Sequence, residues 1–447
     1  MHLQLLHKAT LCARHFLCGY LMFVTYSVPA QDKATLNVKI KAFKGNTLYD
    51  ANHKYIGYVI KLRNNISDNQ QGKIYVDIKN SYGQSVYSEN IDMFAAPKRV
   101  FYKDYYLDNS KFKPGFYFVS MDIRTNHFGQ VYSYAFVVEP EKLPTGSYMP
   151  PDFTSFWDKA KQELVTINPQ YQISRRGDMS TVNVDVFQVE FQSIQSTKIR
   201  GWLSVPKSRG KYPVLYKLPS YVTPAKPEIR VNMAVFCLDV RGIGSSADNV
   251  QLNYNNYLTT GISNKLNCIY RDVYMDCLRG LDFIFTHQDL KLDITKIVIK
   301  GEGQGASLAA AVAGLYSRNI QGLIMERPVF LDMRTIFAIG EMQPTMPWPL
   351  TAFKSYLRNS KTPIDNFFKT WDYFDAINFA TLIKCPVLIG TSLKGTISLP
   401  QCAYNFYNQI LSFKREIFIC ADNENNMDAS YYVLENNWIR EILRIPN

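Results

Sequence analysis

The chain has 447 residues, with 50 lysines and arginines against 38 aspartates and glutamates, a formal net charge of +12. With 47% hydrophobic and 20% charged residues it is too apolar for a disordered chain and long enough for two or three domains. The basic residues are scattered and form no dense stripe, which excludes the usual footprint of a nucleic-acid-binding protein.

Taken in chain order, residues 1–30 come first. They carry Lys8 and Arg14 and no acid, then an apolar run from Phe16 to Val24, then Ser27-Val28-Pro29-Ala30 before Gln31. Small residues at Val28 and Ala30 predict a secretory signal cleaved after Ala30, and the apolar run is too short to span a bilayer. The expectation is an exported chain, periplasmic or extracellular, with no integral membrane span after cleavage. Loss of Lys8 and Arg14 leaves it a net charge of +10.

Residues 31–140 alternate polar and apolar in short runs: Leu36–Ala42, Tyr58–Leu62, Ile74–Ile78 and Val131–Val138. Turn residues separate them at Asn80–Gly83, Asp108–Ser110 and Pro114-Gly115. This period of two predicts an all-β sandwich, and the run Phe112–Val119 resembles a late strand of an immunoglobulin-like module. Residues 141–149, rich in Pro and Gly near Glu139–Gly146, read as a linker.

From Pro150 the texture changes. A helix is predicted after Pro150-Pro151-Asp152, with Thr154 or Ser155 as its cap. Continuous apolar strands then follow at Tyr212–Tyr216, Met233–Asp239, Ile297–Ile299, Gly322–Met325, Pro386–Gly390 and Glu416–Cys420. Helices over Val273–His287 and Ala306–Tyr316 lie between them. Such alternation implies a parallel sheet with helices on both faces, an α/β domain over 150–447.

Residues 297–310 read IVIKGEGQGASLAA, a strand, a glycine-rich turn and a helix. That is the layout of the nucleophile elbow G-x-S-x-G of the α/β-hydrolase fold, but the turn is Gly301-Glu302-Gly303-Gln304-Gly305, with glycine where the attacking serine belongs. Ser307 sits one helical turn further on, facing the helix packing. If Cys12 and Cys18 leave with the signal, six cysteines remain: Cys237, Cys268, Cys277, Cys385, Cys402 and Cys420. They form no C-x-x-C pair and have no histidine at ligand spacing, so neither a metal site nor a cofactor is expected. They are expected as small buried hydrophobes, with a disulfide involving Cys268 left open.

Several further motifs stand in order around the elbow. They are Pro151-Asp152-Phe153 with Phe156-Trp157, the loop Arg241-Gly242-Ile243-Gly244-Ser245-Ser246, and the helix Tyr270-Arg271-Asp272-Val273-Tyr274-Met275-Asp276. Glu326–Arg334 and Tyr373–Ala380 follow. With these, the chain from Pro150 onward resembles the acetyl xylan esterase / cephalosporin C deacetylase family of α/β-hydrolases. The resemblance implies a serine activated by a histidine that a carboxylate orients, and two backbone N–H groups that hold the oxyanion. By resemblance Tyr221 and Gln304 supply those two donors.

The triad itself is missing. Gly303 stands at the serine, and an ungapped comparison of Ser392–Pro400 with the family's G-L-x-D-x-x-x-P-P loop puts Gly395 at the aspartate. The histidine position falls on Asn425, or on Glu424 if the loop from Asp422 slips by one; the last histidine of the chain is His287. Loss of all three groups implies a catalytically inactive homologue that binds an acetylated saccharide or a small ester-like ligand. Two other readings follow from the same residues. One is an active carbohydrate acetyl esterase with a rearranged site, in which Glu302 substitutes as nucleophile. The other is a non-catalytic assembly partner of an active paralogue, as part of a homo- or hetero-oligomer. His53 and His127 fall in the β-domain and His287 at a helix end. Trp157, Trp202, Trp348 and Trp371 offer stacking surfaces but are expected chiefly in the core. The proline-rich run Met342–Pro349 is read as a loop over the pocket.

Overall fold

The structure is a computed structural model that describes residues 35–43, 47–144, 146, 148–248, 254–316, 320–343, 347–421, 423 and 426–445. The expected signal segment and the positions Asp422, Glu424 and Asn425 lie outside the described residues.

Eight strands build the first unit: β1 (Leu36–Ala42), β2 (Leu48–Tyr49), β3 (Tyr55–Asn64), β4 (Gln70–Asn80), β5 (Ser85–Ala95), β6 (Val100–Asp108), β7 (Gly115–Thr125) and β8 (Phe128–Val138). They form two sheets, ordered β1-β3-β6 and β2-β8-β7-β4-β5. The period-two pattern works as expected. In β4, Ile74, Val76 and Ile78 are buried while Lys73, Tyr75 and Lys79 face out. Inward residues of both sheets, among them Ile60, Leu62, Leu107, Ile74, Met121 and Phe136, share one apolar core. The unit is a β-sandwich.

The second unit opens with helix α1 (Phe153–Thr166). Its cap differs from expectation: the cap position is Asp152, while Thr154 and Ser155 lie inside the helix and Ser155 Oγ donates to the Asp152 carbonyl at 3.0 Å. Strands β9 (Gln172–Arg175), β10 (Val184–Gln192), β11 (Lys198–Pro206), β12 (Tyr212–Leu218), β13 (Ala234–Asp239), β14 (Leu292–Glu302), β15 (Ile320–Glu326), β16 (Val387–Ser392) and β17 (Arg415–Cys420) join one nine-stranded sheet. Its order is β17-β16-β15-β14-β12-β13-β11-β10-β9. From β12 to β17 it is parallel, as the apolar runs predicted. The edge formed by β9, β10 and β11 is antiparallel, so the sheet is mixed. Strand β10 alternates and β9 is mostly exposed, which is why a search for continuous apolar runs passes over them; β11 is buried from Gly201 to Pro206, but glycine, serine and proline interrupt its apolar residues.

Helices α2 (Ile269–Thr286), α3 (Gln304–Leu315), α4 (Met333–Met342), α5 (Leu350–Ser360), α6 (Ile364–Trp371), α7 (Pro400–Gln409) and α8 (Ala429–Leu443) complete the unit. Helix α3 is buried from Gln304 to Ala313, its small side chains letting it lie close to the sheet. Strand β12 pairs with β13 on one side and β14 on the other, so the chain crosses over it between β13 and β14. That crossover opens a crevice at the carboxyl ends of β12 and β14, the general place for a ligand in such a sheet. Cys237, Cys268, Cys277, Cys385, Cys402 and Cys420 are all buried and free, so among the described residues no disulfide involves Cys268.

The two units pack through Phe116, Ala135, Val137 and Leu143 against Leu393 and Tyr404. Gln343 Nε2 donates to the Ser81 carbonyl at 2.6 Å, and Asn408 Nδ2 to the Pro140 carbonyl at 2.9 Å. Among the described residues no helix is long and apolar enough to cross a membrane.

Candidate functional site: an elbow without a side chain

The turn between β14 and α3 is held by its glycines. A β-carbon on Gly301 would lie 1.9 Å from the Gly305 carbonyl oxygen, and one on Gly305 would lie 2.4 Å from that of Leu218. Both positions therefore need glycine for strand, turn and helix to approach this closely. Gly303 is different. It sits at φ 58° and ψ −119°, the sharp backbone of an elbow, yet a β-carbon there would meet only Ser220 Oγ, at 3.6 Å. The turn has room for a side chain and carries none. Its N–H donates to the Glu326 carbonyl at 2.9 Å and its carbonyl accepts from Val329 N–H at 3.1 Å, which fixes the turn against the end of β15. Ser307 is buried and donates to the Val329 carbonyl, a packing role as expected.

Above Gly303 lies a cavity of about 300 Å³. Ser220 and Tyr221 line it from the end of β12, Gln304 from α3, Arg327 and Val329 from the segment after β15, and Trp348 from the segment before α5. Tyr221, just past the end of β12, and Gln304, at the start of α3, thus both stand beside Gly303 in the cavity. Tyr221 Oη accepts from Leu258 N–H at 3.3 Å, and its ring lies 4.6 Å from that of Trp348. The Gln304 side chain is buried and its Oε1 accepts from Tyr270 Oη at 2.7 Å, while Nε2 finds no partner among the described residues. Burial pushes the Tyr270 phenol well above its usual range, so it stays a neutral donor. As the first residue of α3, Gln304 also presents a backbone N–H that the helix cannot satisfy.

Glu302 also lines the cavity, but its carboxylate is held in an ion pair by Arg327. Its carbonyl accepts from Ser220 Oγ at 2.9 Å. Of the loop after β16, Ser392, Ile397 and Ser398 reach this cavity. Gly395 does not: it lines a neighbouring cavity between the two units, together with Lys394. The buried Ser398 Oγ has no partner among the described residues, and Ser392 Oγ donates to the Asn423 carbonyl. Ser220, Ser392 and Ser398 are site residues that the elbow motif does not point to. Ser220 had a signal in its place directly before Tyr221, and Ser392 and Ser398 in the segment Ser392–Pro400 that aligns with the family's acid loop.

None of the described histidines lines the cavity. His53 pairs with Asp50 at 2.7 Å in the sandwich, and His127 lies 3.8 Å from Asp68. His287 is half-buried, stacked on Phe283 at 4.4 Å with Nδ1 2.9 Å from the Phe283 carbonyl. Trp157 and Trp371 are core residues; Trp202 packs under the Arg176 guanidinium; only Trp348 of the four faces the cavity.

The surrounding motifs are structural networks. Arg241, buried, clasps Asp276 through Nε (2.9 Å) and Nη2 (2.7 Å) and reaches Asp272 through Nη1 (2.6 Å). This ties the loop after β13 to α2 with the bidentate geometry that arginine favours. Asp239 holds the same loop, accepting from Ala225 N–H (2.6 Å), Ser245 N–H (2.9 Å) and Ser245 Oγ (2.7 Å). Asp375 accepts from the N–H groups of Asp332 (2.7 Å), Met333 (2.6 Å) and Ile377 (3.2 Å), organising the start of α4. On the other face of β14, Lys300 Nζ lies 2.7 Å from both carboxylate oxygens of Glu435 and 3.2 Å from Glu326. Tyr432 Oη donates to Glu326 at 2.9 Å; burial, with that carboxylate, pushes Tyr432 up to about 12. Helix α8 is thereby locked behind the elbow.

A sheet of this order, with a nucleophile-type elbow at its crossover crevice, defines an α/β-hydrolase. A family profile described as acetyl xylan esterase (AXE1) matches residues 141–441, and the chain belongs to that family. It is 24% identical over 349 residues to the acetyl esterase Axe7A of Xylanibacter ruminicola, covering 74% of this chain and 75% of the relative. Among solved structures it is similar to an acetyl xylan esterase from Paenibacillus sp. R4, with a TM-score of 0.61, 24% identity, 68% of this chain and 98% of that one. Acetyl xylan esterase 1 from Thermoanaerobacterium sp. JW/SL YS485 is similar at the same TM-score and coverage, with 20% identity.

Proposed function

We propose that this chain is a non-hydrolytic member of the acetyl xylan esterase family that binds the acyl group of an acetylated saccharide, or of a small ester, in the cavity over Gly303. The observation that carries the reading is Gly303 itself: an elbow-shaped turn, open space beside it, and no atom with which to attack. Hydrolysis by the family's mechanism needs a nucleophile, a base and an orienting acid acting together. Under this reading Gly303, Gly395 and Asn425 stand in for those three, and Tyr221 and Gln304 keep the oxyanion-binding framework. The placement of Gly395 in a neighbouring cavity is compatible with a loop released from orienting a histidine. Glu302 is a poor substitute nucleophile because Arg327 already holds its carboxylate.

The same reading takes residues 1–30 as a cleaved export signal, 31–140 as an immunoglobulin-like module and 141–149 as the linker to the hydrolase unit.

Calorimetric titration of the purified chain with acetylated and chemically deacetylated xylo-oligosaccharides tests it, alongside p-nitrophenyl acetate hydrolysis. The expected result is binding that requires the acetyl group, weakened about tenfold by Trp348→Ala, with no ester turnover above background. Turnover that disappears in Glu302→Gln, or no affinity for any acetylated saccharide, overturns it.

A further inference from the structure

The cavity between the sandwich and the hydrolase unit is larger than the one over Gly303, about 440 Å³, and the function proposed above does not use it. Its walls come from both units. Phe118, Ser120 and Tyr134 face it from β7 and β8, Asp77 and Lys79, 3.8 Å apart, from β4, and Lys394 and Gln401 from the loop after β16 and the start of α7. The walls are fixed relative to one another by the apolar contact of Phe116 and Val137 with Leu393 and Tyr404. The cavity is therefore preformed, with a largely apolar wall and a few convergent polar groups, as small-ligand sites are.

Two of those polar groups lack protein partners that would explain them. Lys394 is half-buried, and among the described residues it makes no ion pair; its Nζ lies 5.8 Å from the centre of the Tyr134 ring. Gln401 is more than nine-tenths buried, and its Oε1 has no hydrogen-bond partner among the described residues. A buried amide oxygen left unpaired is unfavourable, and it is satisfied by a ligand hydroxyl or a water. A half-buried ammonium above a ring gains most from a carboxylate. Phe118 offers an apolar face and Ser120 a hydroxyl.

The two cavities also share walls. Within residues 392–401, Ser392, Ile397 and Ser398 line the cavity over Gly303, while Lys394, Gly395 and Gln401 line this one. Pro347 and Trp348 divide in the same way.

We propose that this interdomain cavity is a second saccharide site, which takes a sugar ring bearing a carboxylate, a uronic acid, with Lys394 on the carboxylate and Gln401 on a ring hydroxyl. The choice of a sugar rests on the function proposed above; the choice of an acidic one rests on Lys394.

The test uses the full chain, titrated with D-glucuronate, D-glucose and acetate by ligand-observed NMR and calorimetry. Glucuronate is expected to bind at least about tenfold more tightly than either glucose or acetate, and Lys394→Met to weaken it about tenfold. Gln401→Leu is expected to weaken it by a smaller factor with the thermal midpoint retained. Lys79→Met, at an exposed lysine on the rim that is already 3.8 Å from Asp77, is expected to weaken glucuronate binding by less than Lys394→Met. Trp348→Ala is expected to leave glucuronate binding unchanged, so failure of the acetyl reading at Gly303 is seen separately from failure here. Equal affinity for glucuronate and glucose, equal affinity for acetate, or glucuronate binding indifferent to both Lys394→Met and Gln401→Leu overturns the proposal.

Discussion

Two regions of the hydrolase unit differ in kind. Around Arg241, Asp239 and Asp375 the charged side chains are buried and satisfied inside the protein, Arg241 by the carboxylates of Asp272 and Asp276, Asp239 and Asp375 by backbone N–H groups. Around Gly303 the residues come from strand ends, loops and the first residue of α3, and each presents some surface to an open cavity. The first region holds the fold together; the second is where chemistry would be done. A fold of this class can lose groups from the second without disturbing the first, so membership of a family and possession of its activity are separate properties. The contrast also explains why the motifs that carry the family likeness are not the site. Most of them are the ionic clasps.

Breaking the clasp has the largest expected effect. Arg241→Ala leaves Asp276 buried with no cation and Asp272 with only Arg271, at 3.5 Å, which is expected to cost about 3–5 kcal/mol of stability. Denaturant unfolding of the purified variant reads this directly, and a loss below about 1 kcal/mol would show that the clasp is not what distinguishes the two regions. A companion variant with Arg241→Met, Asp272→Asn and Asp276→Asn is expected to recover part of the loss, because it removes the uncompensated charges as well.

A second test uses pH. Burial, and next the nearby Asp332, push Asp375 from its ordinary 3.8 up to about 7. Between those values the folded chain holds a proton that the unfolded chain releases. Stability from this group is therefore complete below about pH 4 and is lost as the pH rises through 7. Asp375→Asn is expected to flatten the fall of the thermal midpoint between pH 4 and 7; an unchanged slope would place the titration elsewhere.

The smallest expected effect sharpens the comparison from the other side. If the chain is non-hydrolytic as proposed, Gly303→Ser restores the elbow's missing atom but neither base nor acid, and is expected to leave p-nitrophenyl acetate hydrolysis at background. A rise of tenfold or more, read against heat-inactivated protein, would mean that a base stands near Gly303 after all.

Much of this was legible in the amino-acid order. The parallel strands announced themselves because each is buried on both faces and therefore continuously apolar, as in Ala234–Asp239 and Val387–Ser392. The elbow did so because Gly301 and Gly305 have no substitute there. What sequence did not disclose depends on long-range packing. Strand β10 is half-exposed and alternating, so it lacks the continuous apolar run. Helix α1 starts at Phe153 with its cap position on Asp152, since burial of Phe153 and Trp157 decides its boundary more than cap chemistry does. Ser392 and Ser398 reach the cavity while Gly395 turns away, a division set by the path of the loop that no motif encodes. The interdomain cavity joins residues more than 250 apart in the chain, such as Tyr134 and Lys394.

The backbone of Gly303 has one more consequence. At φ 58° and ψ −119°, any residue with a β-carbon carries strain of order 1–3 kcal/mol. A serine in such a turn keeps that energy stored in the folded protein, next to the group that reacts. Glycine stores none, though it also gives the unfolded chain more freedom, which offsets part of the gain. The elbow here is thus a relaxed turn in the shape of a tense one, held by the close contacts of Gly301 and Gly305 and by its bonds to Glu326 and Val329.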